Sequence, residues 1–146
     1  MTGVEIDFVV TDSLAALDLY ERIFEVERIE VTSFPKGQNE AVFSIYGSRF
    51  HMLDETIEFG LVAPQSDAPQ SFWFNILVPD IKQVYDAALG AGCTEIQPVT
   101  EMESYGASNA IFKDSFGYVW MLHQIHREVS FEERVQMWED RQEEKE

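Results

Sequence analysis

Residues 110–122 read Ala-Ile-Phe-Lys-Asp-Ser-Phe-Gly-Tyr-Val-Trp-Met-Leu, which is two apolar runs separated by a short turn. The runs 109–112 and 118–125 are rich in β-forming residues, and Asp114-Ser115-Phe116-Gly117 has the composition of a tight turn. The stretch therefore predicts a β-hairpin. A similar hairpin lies earlier, because Ala41-Val42-Phe43 and Met52-Leu53 recur 69 residues later as Ala110-Ile111-Phe112 and Met121-Leu122.

The segments around each hairpin also occur twice. In both halves a strand precedes an amphipathic helix, and the helix caps, Asp12 (or Ser13) and Asp80, place the two helices 68 residues apart. The pattern predicts an α+β fold made of two tandem βαβββ units. The predicted strands are 5–10, 28–34, 41–46 and 49–55 in the first unit, and 72–78, 95–100, 109–112 and 118–125 in the second.

The rest of the chain divides around these units. We assign residues 1–62 to the first unit, 63–71 to a linker with two prolines, 72–127 to the second unit and 128–146 to a C-terminal helix. Ser130 and Glu133 form a capping box at the start of that helix. Its apolar stripe of Phe131, Val135 and Trp138 packs either on its own domain or on a second subunit.

Length and charge limit the function. A chain of 146 residues suits one domain, and 10 basic against 27 acidic residues give a net charge of −17, which disfavours nucleic acid and anionic membranes as partners. The first residues carry no basic region, so we expect a cytoplasmic protein. The single cysteine, Cys93, can form no internal disulfide and is best explained as a small buried thiol.

Two motifs carry a family resemblance. Phe8-Val9-Val10-Thr11-Asp12 and the helix after it look like the first strand and helix of the vicinal oxygen chelate superfamily, which includes glyoxalase I, bleomycin-resistance proteins and extradiol dioxygenases. Residues 112–123 are similar to the Asp-Pro-Phe-Gly-His-x-Trp hairpin of its PhnB-like branch, with Ser115 and Tyr118 replacing the proline and the histidine. The resemblance implies curved mixed sheets around a concave pocket, a homodimer, and in metal-dependent members four ligands, two from each unit.

The positions of those four ligands are only partly suitable for a metal. Glu5 occupies the first, whereas Trp73 and Met121 occupy the two in the second unit, and indole cannot ligate a metal. The fourth position depends on the alignment. The turn glycines Gly47 and Gly117 place His51 opposite Met121, but the two Met-Leu pairs place it opposite Trp120, on the other face. We favour the first alignment, because Phe50 and Met52 then face the helix.

The face predicted to line the pocket carries the candidate binding residues Glu5, Asp7, His51, Trp73, Asn75, Met121 and His123. We expect no resident cofactor. If a divalent metal binds instead, its expected ligands are Glu5, His51 and His123.

The sequence supports two main functional hypotheses. In the first, the pocket binds a small organic ligand, and its carboxylates favour a cationic one, as in the bleomycin-resistance proteins that the chain resembles. In the second, the protein is a metal-dependent lyase, isomerase or dioxygenase acting on vicinal oxygens, with Glu5 and His51 as the catalytic candidates. A purely structural, dimerising module is a third reading, and the sequence alone does not decide whether the protein is an enzyme.

Overall fold

A computed structural model describes residues 2–65 and 68–144. The predicted first unit, linker and C-terminal helix therefore include residues 1, 66, 67, 145 and 146, which lie outside the described part. In chain order the elements are β1 (Asp7–Val10), α1 (Ser13–Ile23), β2 (Val26–Val31), β3 (Glu40–Ile45), β4 (Ser48–Asp54), β5 (Phe74–Leu77), α2 (Ile81–Gly90), β6 (Thr94–Met102), β7 (Ala107–Lys113), β8 (Val119–Ile125) and α3 (Phe131–Glu144). Short 3-10 turns cover Ile57–Phe59 and Glu103–Tyr105.

The strands form two four-stranded sheets with the same topology, which confirms the α+β fold predicted from the sequence. Their orders are β1-β4-β3-β2 and β5-β8-β7-β6, with the first strand of each parallel to the last. In both units an aspartate caps the helix. The Asp12 carboxylate accepts from the Ala15 N–H at 3.1 Å, and that of Asp80 accepts from the Gln83 N–H at 3.2 Å.

Two predicted strands begin later than expected. Strand β1 starts at Asp7 and not at Glu5, and β5 starts at Phe74 and not at Phe72. The reason is the length of the parallel ladder, which pairs Asp7 with His51 and Phe74 with Trp120 at its first rung. Glu5 and Trp73 therefore precede their strands.

The two hairpins differ by one residue in their turns. Tyr46 and Gly47 make a two-residue turn with φ of 48° and 85°, both in the left-handed region that a type I′ turn requires. The second turn has three residues, Ser115 to Gly117, between the paired Asp114 and Tyr118. The extra residue changes the separation of equivalent positions from 69 in β3 and β7 to 70 in β4 and β8, since Phe43 pairs with Phe50 and Phe112 with Trp120.

This register decides the face of His51. It makes Phe50 equivalent to the fully buried Trp120, and both Phe50 and Met52 are buried. His51 then takes the opposite face and is equivalent to Met121. The alternative alignment on the Met-Leu pairs is wrong, because it ignores the longer turn.

One core joins the two units. The Phe8 ring lies 5.2 Å from that of Phe74 and 5.1 Å from that of Tyr118, and the Tyr118 hydroxyl donates to the carbonyl of Val9 at 2.7 Å. Helices α1 and α2 cover the same side of the sheets. The opposite face of each sheet is left open.

Helix α3 contributes nothing to this core. It has no buried residue, and Trp138 in its apolar stripe is 57% exposed. Within one chain, therefore, the stripe is not covered by its own domain. None of the described helices combines the length and the apolar character that crossing a bilayer would need.

Candidate functional site

Three ionisable side chains meet on the open face of the first sheet. His51 Nδ1 lies 2.7 Å from Glu5 Oε1 and 3.6 Å from Asp7 Oδ1. One ligand-type atom from each of these residues falls within 4.8 Å of the others. We call Glu5, Asp7 and His51 the acidic cluster.

The strand register explains why these residues meet. Asp7 on β1 is directly paired with His51 on β4, so the two side chains leave the sheet on the same face. The backbone N–H of His51 donates to the carbonyl of Ile6 at 3.1 Å, which ties the segment before β1 to β4. Glu5 is thereby held beside the imidazole even though it precedes the strand.

Two further charged residues border the cluster, and the sequence analysis did not select them. Arg49 Nη2 lies 3.8 Å from Glu5 Oε2, and Glu40 Oε2 lies 3.6 Å from His51 Nε2. Arg49 is two residues before His51 in the same strand, so period-two alternation was an available signal for it. Glu40 could be found only from the pairing of β3 with β4, which places Val42 beside His51.

The cluster shifts the ionisation of all three members. Burial opposes the charged form of the His51 ring, but the bond to Glu5 and the charges of Asp7, Glu5 and Glu40 outweigh it and raise the pKa of His51. The hydrogen bonds with His51 and Asp7 hold the pKa of Glu5 below its ordinary value. Partial burial and the neighbouring Glu5 raise the pKa of Asp7. These shifts widen the pH range in which a Glu5 carboxylate is paired with a protonated His51, and Asp7 retains its proton to a higher pH than an ordinary aspartate does.

The imidazole also has an unused atom. Its Nε2 is buried and has no hydrogen-bond partner within the described chain, while the side chain as a whole is 18% exposed. In the protonated ring Nε2 carries a hydrogen and can only donate, and the charge that faces it is Glu40, whose Oε2 lies 3.6 Å away.

The second sheet carries a different set of residues on its open face. Trp73, Asn75 and Met121 take the places that Glu5, Asp7 and His51 occupy in the first sheet, and Leu77 pairs with His123. His123 Nδ1 is buried and has no partner among the described residues. A cavity of about 690 Å³ contains His123 but none of the acidic cluster. Of the seven predicted binding residues, His123 is the one that lines this cavity.

The donor set tests the metal site that the family resemblance implies. Glu5 and His51 fill two of the four positions, but Trp73 and Met121 fill the others, so a complete site of the family type does not fit this chain. The structure adds Asp7 to Glu5 and His51, and not His123 as the sequence analysis expected.

Comparisons with known proteins agree with this fold. Residues 4–122 match the family model described as the Glyoxalase/Bleomycin resistance protein/Dioxygenase superfamily. No match is found among curated proteins.

Several solved structures share the fold. TioX from Micromonospora sp. ML1 is 16% identical, with a TM-score of 0.63 over 88% of this chain and 100% of that chain. The fosfomycin resistance protein FosX from Listeria monocytogenes, in complex with Mn(II) and sulfate, is 16% identical, with a TM-score of 0.65 over 94% and 98%. The PhnB protein from Bacillus cereus is 14% identical, with a TM-score of 0.60 over 84% and 99%. At such identities the likeness establishes the fold alone.

The pairing of His51 with Glu5 predicts a pH-dependent effect of Glu5→Gln. Glutamine removes the negative charge, so the titration midpoint of the His51 imidazole, followed by NMR, should fall. A histidine whose folded pKa is raised contributes stability that is complete below its unfolded pKa of about 6.5 and is lost as pH rises through the folded pKa. Glu5→Gln should therefore destabilise the protein more at about pH 6 than at about pH 9.

The matched control is Glu58→Gln, which removes an exposed carboxylate on the first 3-10 turn. It should leave the His51 midpoint unchanged. An equal midpoint in wild type and Glu5→Gln would contradict the assigned pairing.

Proposed function

The chain belongs to the Glyoxalase/Bleomycin resistance protein/Dioxygenase superfamily, and from that premise we propose that it binds a small organic cation at the acidic cluster. The observation that carries this proposal is the grouping of Glu5, Asp7 and Glu40 around a single imidazole on an open sheet face. Two of the four family metal positions hold Trp73 and Met121, so the cluster is better suited to bind a ligand directly than to hold a complete family metal site.

The arrangement of charge supports a cationic ligand. The acidic cluster and the bordering Glu40 together hold three carboxylates. Arg49 and His51 are the cations that face them, so an excess of negative charge remains for an incoming group. Glu5, Asp7 and Glu40 each keep about half of their side-chain surface exposed, at 46%, 50% and 49%. An amidinium or ammonium group can therefore reach their oxygens without first displacing protein atoms.

A matched pair of probes tests the proposal. Benzamidine is a planar cation and benzamide is its neutral analogue, so the difference in their affinities reports the charge contribution. We expect benzamidine to bind more tightly, its binding to weaken with added salt, and Asp7→Asn to weaken it about two- to fivefold, because an exposed charge pair contributes up to about 1 kcal/mol. Chemical-shift titration measures each affinity.

The control variant is Asp86→Asn, which removes a carboxylate from α2 on the covered side of the sheets. Equal binding of benzamidine and benzamide would refute the cationic ligand. So would equal losses of benzamidine affinity in Asp7→Asn and Asp86→Asn.

The acidic cluster also favours a second candidate function, a metal-dependent lyase, isomerase or dioxygenase. Glu5, Asp7 and His51 could supply the three protein ligands that are usual for a catalytic zinc, and a bound cation would act as a Lewis acid on substrate oxygens.

Metal loading separates the two candidates. The protein is incubated with Mn²⁺ or Zn²⁺, desalted and analysed for metal, together with Glu5→Ala and His51→Ala. The binding proposal predicts no stoichiometric metal in any of the three proteins. One metal per chain in the wild type, lost in both variants, would instead establish the metal-dependent candidate.

We further propose that the protein is a homodimer whose interface covers the apolar side chains exposed on and just before β5. Leu77 on β5 is 58% exposed, and Trp73 before that strand is 56% exposed. Exposed apolar side chains grouped on one face are typical of an interaction surface. The cytoplasmic location, and the absence of nucleic-acid and membrane partners, stay predictions from the sequence.

Sedimentation equilibrium tests the dimer. Leu77→Glu should convert dimer to monomer, because it buries a charge in the proposed interface. Ile57→Glu, at a residue 72% exposed on the first 3-10 turn, should leave the dimer intact. A monomeric wild type would contradict the proposal.

A further inference from the structure

The cavity that contains His123 lies between the open face of the second sheet and helix α3. Its volume is about 690 Å³, within the range of small-molecule sites, which is roughly 300–1,000 Å³. Strands β7 and β8 form its floor through Ala107, Asn109 and His123, and the segment leading into α3 forms its outer wall. It is separate from the acidic cluster.

The cavity has an apolar body and one unused polar group. Met102, Tyr105 and Val129 line it, and they are partly buried. Asn109 is already engaged, because its amide donates to Met102 Sδ at 3.1 Å and its oxygen accepts from Gln97 at 2.6 Å. His123 is also in the floor, and its Nδ1 is buried and lacks a partner among the described residues.

Two arginines lie at the rim of this cavity. Arg127 and Arg134 both line it, and neither forms an ion pair with another described residue, although the Arg134 guanidinium lies 5.8 Å from the centre of the Phe131 ring. Arg28 and Arg49, by contrast, are paired with carboxylates. The chain has only 10 basic residues against 27 acidic ones, so two arginines without an ion pair at one rim mark a place where an anionic group can bind.

Arg127 is fixed in place by the backbone. Its Nη2 donates to the carbonyls of Glu103 and Ser104 at 3.3 and 3.0 Å. The backbone N–H of Arg127 donates to the carbonyl of Gly106 at 3.1 Å. A Cβ on Gly106 would lie 2.5 Å from Arg127 Cγ, so only glycine permits this approach. The Nε and Nη1 groups of Arg127 remain for a ligand.

The rim also carries two carboxylates, which restrict the kind of anion. Glu128 and Glu133 line the same cavity, and Glu133 accepts a hydrogen bond from the Ser130 hydroxyl at 3.3 Å. The two arginines and the two glutamates leave the rim with no net charge, and the net charge of −17 on the whole chain repels a multiply charged anion. A single anionic group can still receive directed hydrogen bonds from the arginines.

We propose that this cavity is a second ligand site, which takes an amphipathic organic monoanion. The apolar body of the ligand packs against Met102, Tyr105 and Val129. Its carboxylate or sulfonate lies at the rim between Arg127 and Arg134. The site is thus opposite in charge preference to the acidic cluster.

Two fluorescent probes that differ in one group test this assignment. They are 8-anilinonaphthalene-1-sulfonate and the neutral N-phenyl-1-naphthylamine, which lacks the sulfonate. We expect the anionic probe to bind once per chain and more tightly than the neutral one. Arg134→Gln should weaken binding of the anionic probe about two- to fivefold and leave binding of the neutral probe unchanged, since it removes one exposed charge.

The matched control is Arg22→Gln, which removes an arginine from α1 on the covered side of the sheets. It should change neither affinity. Equal affinities of the two probes, equal effects of the two arginine variants, or no binding of the anionic probe would each overturn the proposal. Asp7→Asn should not affect the anionic probe, so failure at the acidic cluster and failure at this cavity are distinguishable.

Discussion

The buried carboxylate of Asp114 holds the two units of this protein in one arrangement. Asp114 is only 5% exposed. Its carboxylate accepts hydrogen bonds from the Tyr20 hydroxyl, the Trp120 indole N–H and the backbone N–H groups of Phe116 and Tyr118, at 2.7–3.0 Å. A charge removed from water is tolerated only when its oxygens are fully bonded. Because Tyr20 belongs to the first unit, satisfying this carboxylate requires that both units be folded and docked.

A second interaction is repeated in both units and fixes each helix on its sheet. The Asp54 carboxylate accepts from the Ser13 N–H at 2.7 Å, and the Gln124 amide oxygen accepts from the Ile81 N–H at 2.8 Å. These residues are equivalent under the separations of 68 in the helices and 70 in the last strands. The covered side of the molecule has therefore kept the symmetry of the repeat, since each helix start needs an acceptor.

The open side has lost that symmetry, and the proposed functions follow from the loss. The first sheet carries carboxylates and an imidazole where the second carries Trp73, Asn75 and Met121. The first face is consequently suited to a cation, whereas the second face is apolar with arginines at its rim. One repeated scaffold thus offers two chemically different surfaces, and the buried symmetrical side keeps both in place.

The sequence by itself determined the α+β fold, the tandem units, the aspartate caps at Asp12 and Asp80, and the proximity of Glu5 and Asp7. These are local patterns, because strand alternation and helix capping depend on residues a few positions apart. Tertiary structure alone decided which face His51 occupies, because a one-residue difference between two turns reverses every side chain that follows. It also decided that Glu40 borders the acidic cluster, and that His123 lies in a cavity bordered by α3. Those outcomes depend on pairing between strands and on packing between distant segments, which no short window of sequence contains.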